Sequence, residues 1–298
     1  MTGSLRESEV GAVAAAALLD ISQRGIGSAA VAAYGHQTPV PWSVVADGGW
    51  DLIGVPEDAD GAGANLRDLV EVARVSGRLA LPSPIVETIW TKRWSPAARV
   101  VDGPLTVSVS RPTTSTAVGI ASYGCASDVL VARSVGRTDD VFEALVAPEL
   151  DDLSPVLRTA IVPWTTEVPV EAARELGTLW AAQAVGAAQW LVDASVAFAR
   201  QRTQFGKPIG SFQAVKHRLA DMHAKAEYAD AAVVWAAHEP DDAERASRYA
   251  LGAAVEVAQS AIQVHGGMGF TWELGLHYYL RSMLMWRELA SGTRARVG

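Results

Sequence analysis

Arg200-Gln-Arg-Thr-Gln-Phe-Gly-Lys-Pro-Ile-Gly-Ser-Phe-Gln213 sets a charged turn between two long amphipathic segments. Gly206, Pro208 and Gly210 prevent a helix from running through it. Upstream, Ala187, Trp190, Leu191, Ala194 and Phe198 recur at helical spacing, and downstream Val215, Leu219, Met222, Ala226 and Val233 do the same. Leu251, Ala254, Val255, Ala258 and Ile262 form a third such series, and a fourth segment starts near Leu274. Four amphipathic helices with short connections predict a helical bundle over 169–298.

Toward the N-terminus the pattern changes twice. Between about Ser95 and Val168, Leu105-Thr-Val-Ser-Val-Ser110 alternates apolar and polar residues as a half-buried strand does. Val129–Ala132, Phe142–Val146 and Thr159–Pro163 read as further short strands, so 95–168 is expected to be a small β domain. Before it, 1–94 reads as a helical domain, with Ala12–Ile21 and Leu66–Leu79 as its clearest helices and Asn65 as the cap of the second. The Gly48–Gly63 stretch between them is too rich in Gly, Pro and Asp to be regular. Helices, then strands, then a bundle predict an α+β fold that is mainly α.

Composition removes whole classes of function. The net charge of -8 leaves no basic face for a general nucleic-acid binder. Cys125 is the single cysteine, so no internal disulfide forms, and no Cys/His spacing fits zinc. The residues from Met1 to Val10 lack an apolar secretion core, and no apolar run is long enough to span a bilayer. A soluble, cytoplasmic protein is expected.

The turn itself suggests anion chemistry. Arg202 carries a rigid fork suited to a pyrophosphate, Ser211 is placed to cap the following helix, and Phe205 and Phe212 could flank a planar ring. The alternative is a helix connector with a solvated arginine. A second run, Gln263-Val-His-Gly-Gly-Met-Gly-Phe-Thr-Trp-Glu273, follows a helix and not a strand, so it is no Rossmann fingerprint. Alone it reads as a glycine-rich helix stop. His217 and His223 lie six apart on one helix and do not share a face as metal ligands would.

Taken together, Arg202-Thr-Gln-Phe-Gly206 with Phe212-Gln213, and about fifty residues later Gln263-x-x-Gly-Gly-x-Gly269, resemble the signature of the acyl-CoA dehydrogenase family. Ala181-Ala-Gln-Ala-Val-Gly186, Leu280-Arg281, Gly49-Trp50, Gly54-Val-Pro-Glu57 and Gly61-Ala-Gly63 extend the likeness over nearly the whole chain. The resemblance implies FAD as cofactor, an acyl-CoA substrate and FAD shared across a subunit boundary. It places Arg202 on the FAD pyrophosphate. Gln204, Phe205, Phe212, Gln213, Gln263, Gly266 and Gly267 complete the cofactor-binding set, the Phe, the later Gln and the Gln-x-x-Gly-Gly run lying on the adenosine side.

The same comparison exposes two losses. The family's catalytic Glu precedes a Gly-Thr pair, but Gly292-Thr293 here follow Ala290-Ser291. At the alternative position, early in the first bundle helix, stands Leu176. Glu175 is adjacent, but one residue turns a helical side chain by about a hundred degrees, and a solvated charge is expected there. Glu273 and Glu288 also lie off the matching positions, so no catalytic residue is assigned. The family's Thr-Glu-Pro-x-x-Gly-Ser-Asp run and its tryptophan-bearing strand have no clear equivalent; Trp164 lies too near the bundle. What is kept reaches toward a neighbour's cofactor, and what is missing builds a chain's own site. The sequence is similar to the short, non-catalytic chain of actinobacterial α2β2 steroid-type acyl-CoA dehydrogenases. That likeness implies a catalytic sister chain supplying the Glu, with an electron-transfer flavoprotein as electron acceptor. Two alternatives stay open: a flavin-free structural partner, and a self-sufficient homo-oligomer with a relocated base such as Glu175.

Overall fold

Asn65 starts the first well-defined helix as its sequence requires. Its side-chain Oδ1 accepts from Arg67 N–H at 2.9 Å and Asp68 N–H at 3.2 Å, while Asp68 Oδ2 accepts from Asn65 N–H at 2.8 Å. This reciprocal cap satisfies amides that the helix itself leaves without partners. The computed structural model describes residues 11–13, 16–18, 42–80, 84–112, 117–121, 130–132, 160–163, 169–271 and 274–292. Phe142–Val146, Trp164 and Glu273 lie outside the described residues.

The N-terminal part contains a short helix fragment at 11–13 and 16–18, then α1 (Trp42–Asp47), α2 (Leu66–Arg78), α3 (Ile85–Trp94) and α4 (Pro96–Arg99). The Gly48–Gly63 stretch holds two 3-10 turns, Trp50–Leu52 and Glu57–Ala59, and is otherwise irregular. Four strands follow: β1 (Leu105–Pro112), β2 (Ala117–Ala121), β3 (Leu130–Ala132) and β4 (Ala160–Pro163). Their order is β3-β1-β2-β4, with β1 antiparallel to β2, β2 antiparallel to β4, and β1 parallel to β3. Register is set by Ser108 opposite Ala121, Leu105 opposite Leu130 and Ala121 opposite Ala160.

The bundle consists of α5 (Val170–Gln201), α6 (Gln213–His238), α7 (Ala243–His265) and α8 (Leu276–Gly292). Its core is largely alanine: Ala181, Ala184, Ala188, Ala226, Ala254 and Ala258 are all buried, which lets the helices pack closely. Larger residues pack around the alanines, with Trp190 stacked on Tyr279 at 4.5 Å between ring centres.

Helix α3 ties the three parts together. Its Thr88 hydroxyl accepts from Leu105 N–H at 2.8 Å at the start of β1, and Trp90 Nε1 donates to Ala172 O at 2.9 Å in α5. Trp180 Nε1 on α5 donates to the buried Glu87 carboxylate at 2.9 Å, and Lys92 pairs with Asp51 at 2.5 Å in a buried salt bridge. Polar groups this deep cost free energy unless partnered, so the pairings fix how α3 sits. The layout is the expected one, mainly helical with a small sheet.

Candidate functional site

Helix α5 ends at Gln201, and Arg202 leaves it in extended geometry while its N–H still reaches Phe198 O at 2.8 Å. The chain then folds back on itself. Strands β5 (Thr203–Gln204) and β6 (Lys207–Pro208) pair antiparallel, and Ile209 N–H closes the base on Arg202 O at 2.8 Å. At the tip, Phe205 has φ 54° and Gly206 φ 79°. Two positive φ values define the hairpin turn whose twist matches its strands. Gly206 adopts it freely, but for Phe205 the strain costs on the order of 1 kcal/mol.

Phe205 is also 91% exposed. Its ring meets Phe212 edge-on at 6.1 Å, and Lys207 Nζ lies 4.5 Å from the centre of the Phe212 ring. These contacts stiffen an outward-facing tip without burying it. Gly210 lets the following turn lie against α5, since a Cβ there would stand 3.0 Å from Ala199 O. Ser211 does not cap α6. It belongs to a 3-10 turn, Ile209–Ser211, and α6 begins at Gln213 with Phe212 before it and no side-chain cap.

The second glycine run closes α7. Gly266 has φ 60° and ψ -138°, a conformation open in practice only to glycine, and its N–H bonds Gln263 O. Gly269 is buried against α7, where a Cβ would fall 2.5 Å from Ile262 O. Gly267 and the Gln263 side chain face open space. His265 is buried, its Nδ1–H donates to Ala261 O at 2.8 Å, and its ring stacks on Phe198 at 4.3 Å. Burial lowers its pKa, with the Ala261 bond acting weakly the other way, so the ring packs as a neutral group.

The Phe198–His265 stack brings the C-terminal ends of α5 and α7 together. Helix α6 starts from the same end. All eight sequence-predicted residues therefore lie at one end of the bundle, Arg202, Gln204, Phe205, Phe212 and Gln213 on the hairpin and helix start, and Gln263, Gly266 and Gly267 at the end of α7. The Arg202 side chain is exposed and makes no hydrogen bond or ion pair with another described residue. A free guanidinium, three exposed side-chain amides, two phenyl rings and close-approach glycines suit a dinucleotide: the cation for the pyrophosphate, the amides for a purine edge.

A cavity of about 330 Å³ opens at the other end of the bundle, lined by Arg174, Gly177, Ser247, Arg248, Glu288 and Ser291 among others. Neither position where the family resemblance would put a base is acidic: Ser291 lines the cavity, and Leu176 is buried in the core. Glu244 and Glu288 on its rim are exposed, the latter 3.8 Å from Arg287.

Glu175 is not the solvated charge the sequence suggests. It accepts from Trp94 Nε1 at 2.7 Å and Arg93 Nε at 3.1 Å, and Arg93 in turn donates to Gly54 O and Ala64 O. Its lone pairs are committed to holding α5 against α3. Replacing Glu175 with Gln should therefore leave the turnover of an active complex within about twofold, while lowering stability by about 1–3 kcal/mol. A loss of a hundredfold or more in kcat with an unchanged melting curve would restore Glu175 as a base.

Sequence reasoning missed the Phe198–His265 stack and the Arg93–Glu175–Trp94 cluster. Only the helical placement of Phe198 hinted at the first. His217 and His223 are exposed, and among the described residues no group of three His, Cys, Asp or Glu could hold a metal. No described helix is long and apolar enough to cross a membrane.

A family model for the acyl-CoA dehydrogenase C-terminal domain matches residues 178–295. The chain is 31% identical over 237 residues to acyl-CoA dehydrogenase IpdE2 of Mycobacterium tuberculosis, covering 76% of this chain and 74% of that protein. It is 33% identical over 264 residues to acyl-CoA dehydrogenase FadE34 of the same organism, covering 77% of this chain but only 37% of FadE34. Among solved structures, a steroid ACAD, Tcur3481-Tcur3483 G363A, superposes with a TM-score of 0.73 at 21% identity, over 97% of this chain and 96% of that one. The ChsE4-ChsE5 complex of Mycobacterium tuberculosis does so with a TM-score of 0.69 at 20% identity, over 99% and 98%.

Proposed function

The chain belongs to the acyl-CoA dehydrogenase family, and from that membership we propose that it is the base-deficient subunit of a heteromeric, FAD-dependent acyl-CoA dehydrogenase. The observation that carries this reading is the contrast between the two ends of the bundle. One end presents an exposed Arg202, without a partner among the described residues, on a strained hairpin; the other has a cavity lined by Ser291 at one base position, while the buried Leu176 stands at the other. The first suits a cofactor approached from outside, and the second cannot take a proton from a thioester α-carbon.

In this reading the Arg202 guanidinium grips the FAD pyrophosphate, the exposed amides of Gln204, Gln213 and Gln263 line the adenosine, and Phe205 and Phe212 pack against it. Gly266 and Gly267 let the backbone come close to the ligand. FAD, when bound, supplies the acceptor for the hydride that leaves the substrate's β-carbon. The sister chain supplies the carboxylate that removes the α-proton and most of the acyl pocket. An electron-transfer flavoprotein then reoxidises the complex. An acyl-CoA bearing a steroid fragment is the substrate this reading favours, motivated by the fold shared with a solved steroid enzyme. The place of action is the cytoplasm.

Visible absorbance tests it. The chain purified alone should be colourless and inactive, and co-expression with its sister dehydrogenase should give a yellow, active complex with flavin bound. A yellow, active preparation of this chain alone would overturn the proposal, and a colourless complex would reduce the chain to a structural partner.

A further inference from the structure

The proposed cofactor site is assembled from two segments on different helices, and each is fixed first to its own helix. In the hairpin half, Arg202 N–H donates to Phe198 O at 2.8 Å, one turn back on α5. In the glycine half, Gly266 N–H donates to Gln263 O, and Gly269 lies against Ile262 O. Between them sits His265. It is 7% exposed, and its Nδ1–H donates to Ala261 O at 2.8 Å, which anchors one edge of the ring on α7.

The two halves meet across a pair of rings. The His265 imidazole stacks on the Phe198 phenyl with 4.3 Å between centres and 28° between planes. Phe198 therefore serves both halves: its carbonyl oxygen holds the Arg202 backbone, and its ring receives His265. Neither ring is called for by its helix, since leucine has the higher helix propensity and would fill either position. What the rings add is a fixed spacing, because a stacked flat ring has fewer ways to yield than an aliphatic chain. Burial keeps the imidazole neutral, so the contact asks for a planar ring and not for a charge.

We propose that His265 is a positioning residue of the cofactor site: without touching FAD, it sets, through its stack on Phe198, the spacing between Arg202 and the Gln263–Gly267 run. The inference rests on the shared-cofactor reading above and adds how two separate helix ends come to grip one dinucleotide together. A ligand held at two points gains affinity only while both points are in place at once. Binding groups of this kind lose their effect when displaced by more than about 0.5 Å, so the residues that lock them matter as much as the groups themselves.

Titration of FAD into the deflavinated, co-expressed complex, followed by flavin fluorescence, tests the role. His265→Leu should weaken FAD binding by about tenfold or more, the size of coupling between residues in contact, and Phe198→Leu should do the same. The double variant should lose no more than either single one, since all three remove one contact. His265→Phe keeps a flat ring and discards both ring nitrogens, and it should bind FAD within about threefold of the unmodified complex. In the flavin-free complex, amide hydrogen exchange over 200–206 and 263–269 should quicken together in His265→Leu and stay slow in His265→Phe. Glu175→Gln, which loosens the far end of α5, should leave FAD affinity unchanged and so separates positioning from a general loss of stability. Should His265→Leu not assemble, Phe198→Leu carries the same test. Unchanged FAD affinity in the Leu variants would overturn the proposal. So would a loss in His265→Phe as large as in His265→Leu, which would put an imidazole nitrogen on the cofactor instead. Full flavin retention in Arg202→Ala would sink the shared-cofactor reading and this inference with it, whereas flavin lost there but kept in both Leu variants removes only the role of His265.

Discussion

Arg202→Ala should strip flavin from the co-expressed complex while leaving its fold intact. The side chain is exposed and makes no hydrogen bond or ion pair with another described residue, so removing it costs the folded chain almost nothing. A pyrophosphate held by a planar, fixed-charge fork would lose paired charge-assisted hydrogen bonds. Truncating one side of such a contact costs about 2–4 kcal/mol, or roughly thirty- to a thousandfold in FAD affinity. Gel filtration should then remove flavin that the unmodified complex retains, read as a fall in the 450 nm to 280 nm absorbance ratio at unchanged melting temperature of the flavin-free protein. Arg202→Lys should be intermediate, because it keeps the charge and loses the fork. Full flavin occupancy in Arg202→Ala would remove this arginine from the cofactor site.

The parts of this fold that were legible in the sequence are those with one wet side. The bundle helices declared themselves through spaced apolar residues because each keeps a solvent face, and Asn65 announced α2 through its cap. Helix α3 did not. Glu87, Thr88, Thr91 and Lys92 are buried there along with Ile85, Val86, Ile89 and Trp90, so it has no polar stripe for periodicity to find. Strand β2, Ala-Val-Gly-Ile-Ala, was missed for a related reason: two alanines and a glycine give no alternation and little strand preference. At the site, Gly206, Pro208 and Gly210 gave the turn away, but nothing in a phenylalanine signals that Phe205 will adopt a left-handed conformation. The role of Glu175 was equally hidden, since Arg93 and Trp94 lie 82 and 81 residues away in the chain. Local rules reach caps and turns; they do not reach a carboxylate whose environment is assembled by tertiary packing.

The largest effect on stability should come from a methyl group. Helices α2 and α5 cross so closely that a Cβ on Gly77 would fall inside the contact distance of the Gln183 carbonyl oxygen, and one on Gly186 inside that of Arg74. Both obstacles are backbone and cannot rotate aside. Gly186→Ala must therefore push two helices apart, although α2 is tied to α5 by Arg78–Asp193 at 2.7 Å and to α6 by Arg74–Asp230 at 2.7 Å. Separation would also loosen Leu69, Val72 and Ala73 from the bundle core. Overpacking of this kind costs about 3 kcal/mol, and a rigid backbone clash stands at the upper end of that range or beyond. Gly77→Ala should behave alike. Gly177→Ala, on the same α5 and with no atom within 4 Å of its Cβ, should instead be neutral or stabilise by up to about 1 kcal/mol through helix propensity. Urea denaturation of the three variants reads the difference directly. Gly186→Ala unfolding at the unmodified midpoint would mean that α2 does not cross α5 at this distance, and with it would go the clamp that fixes the helix leading into the Arg202 hairpin.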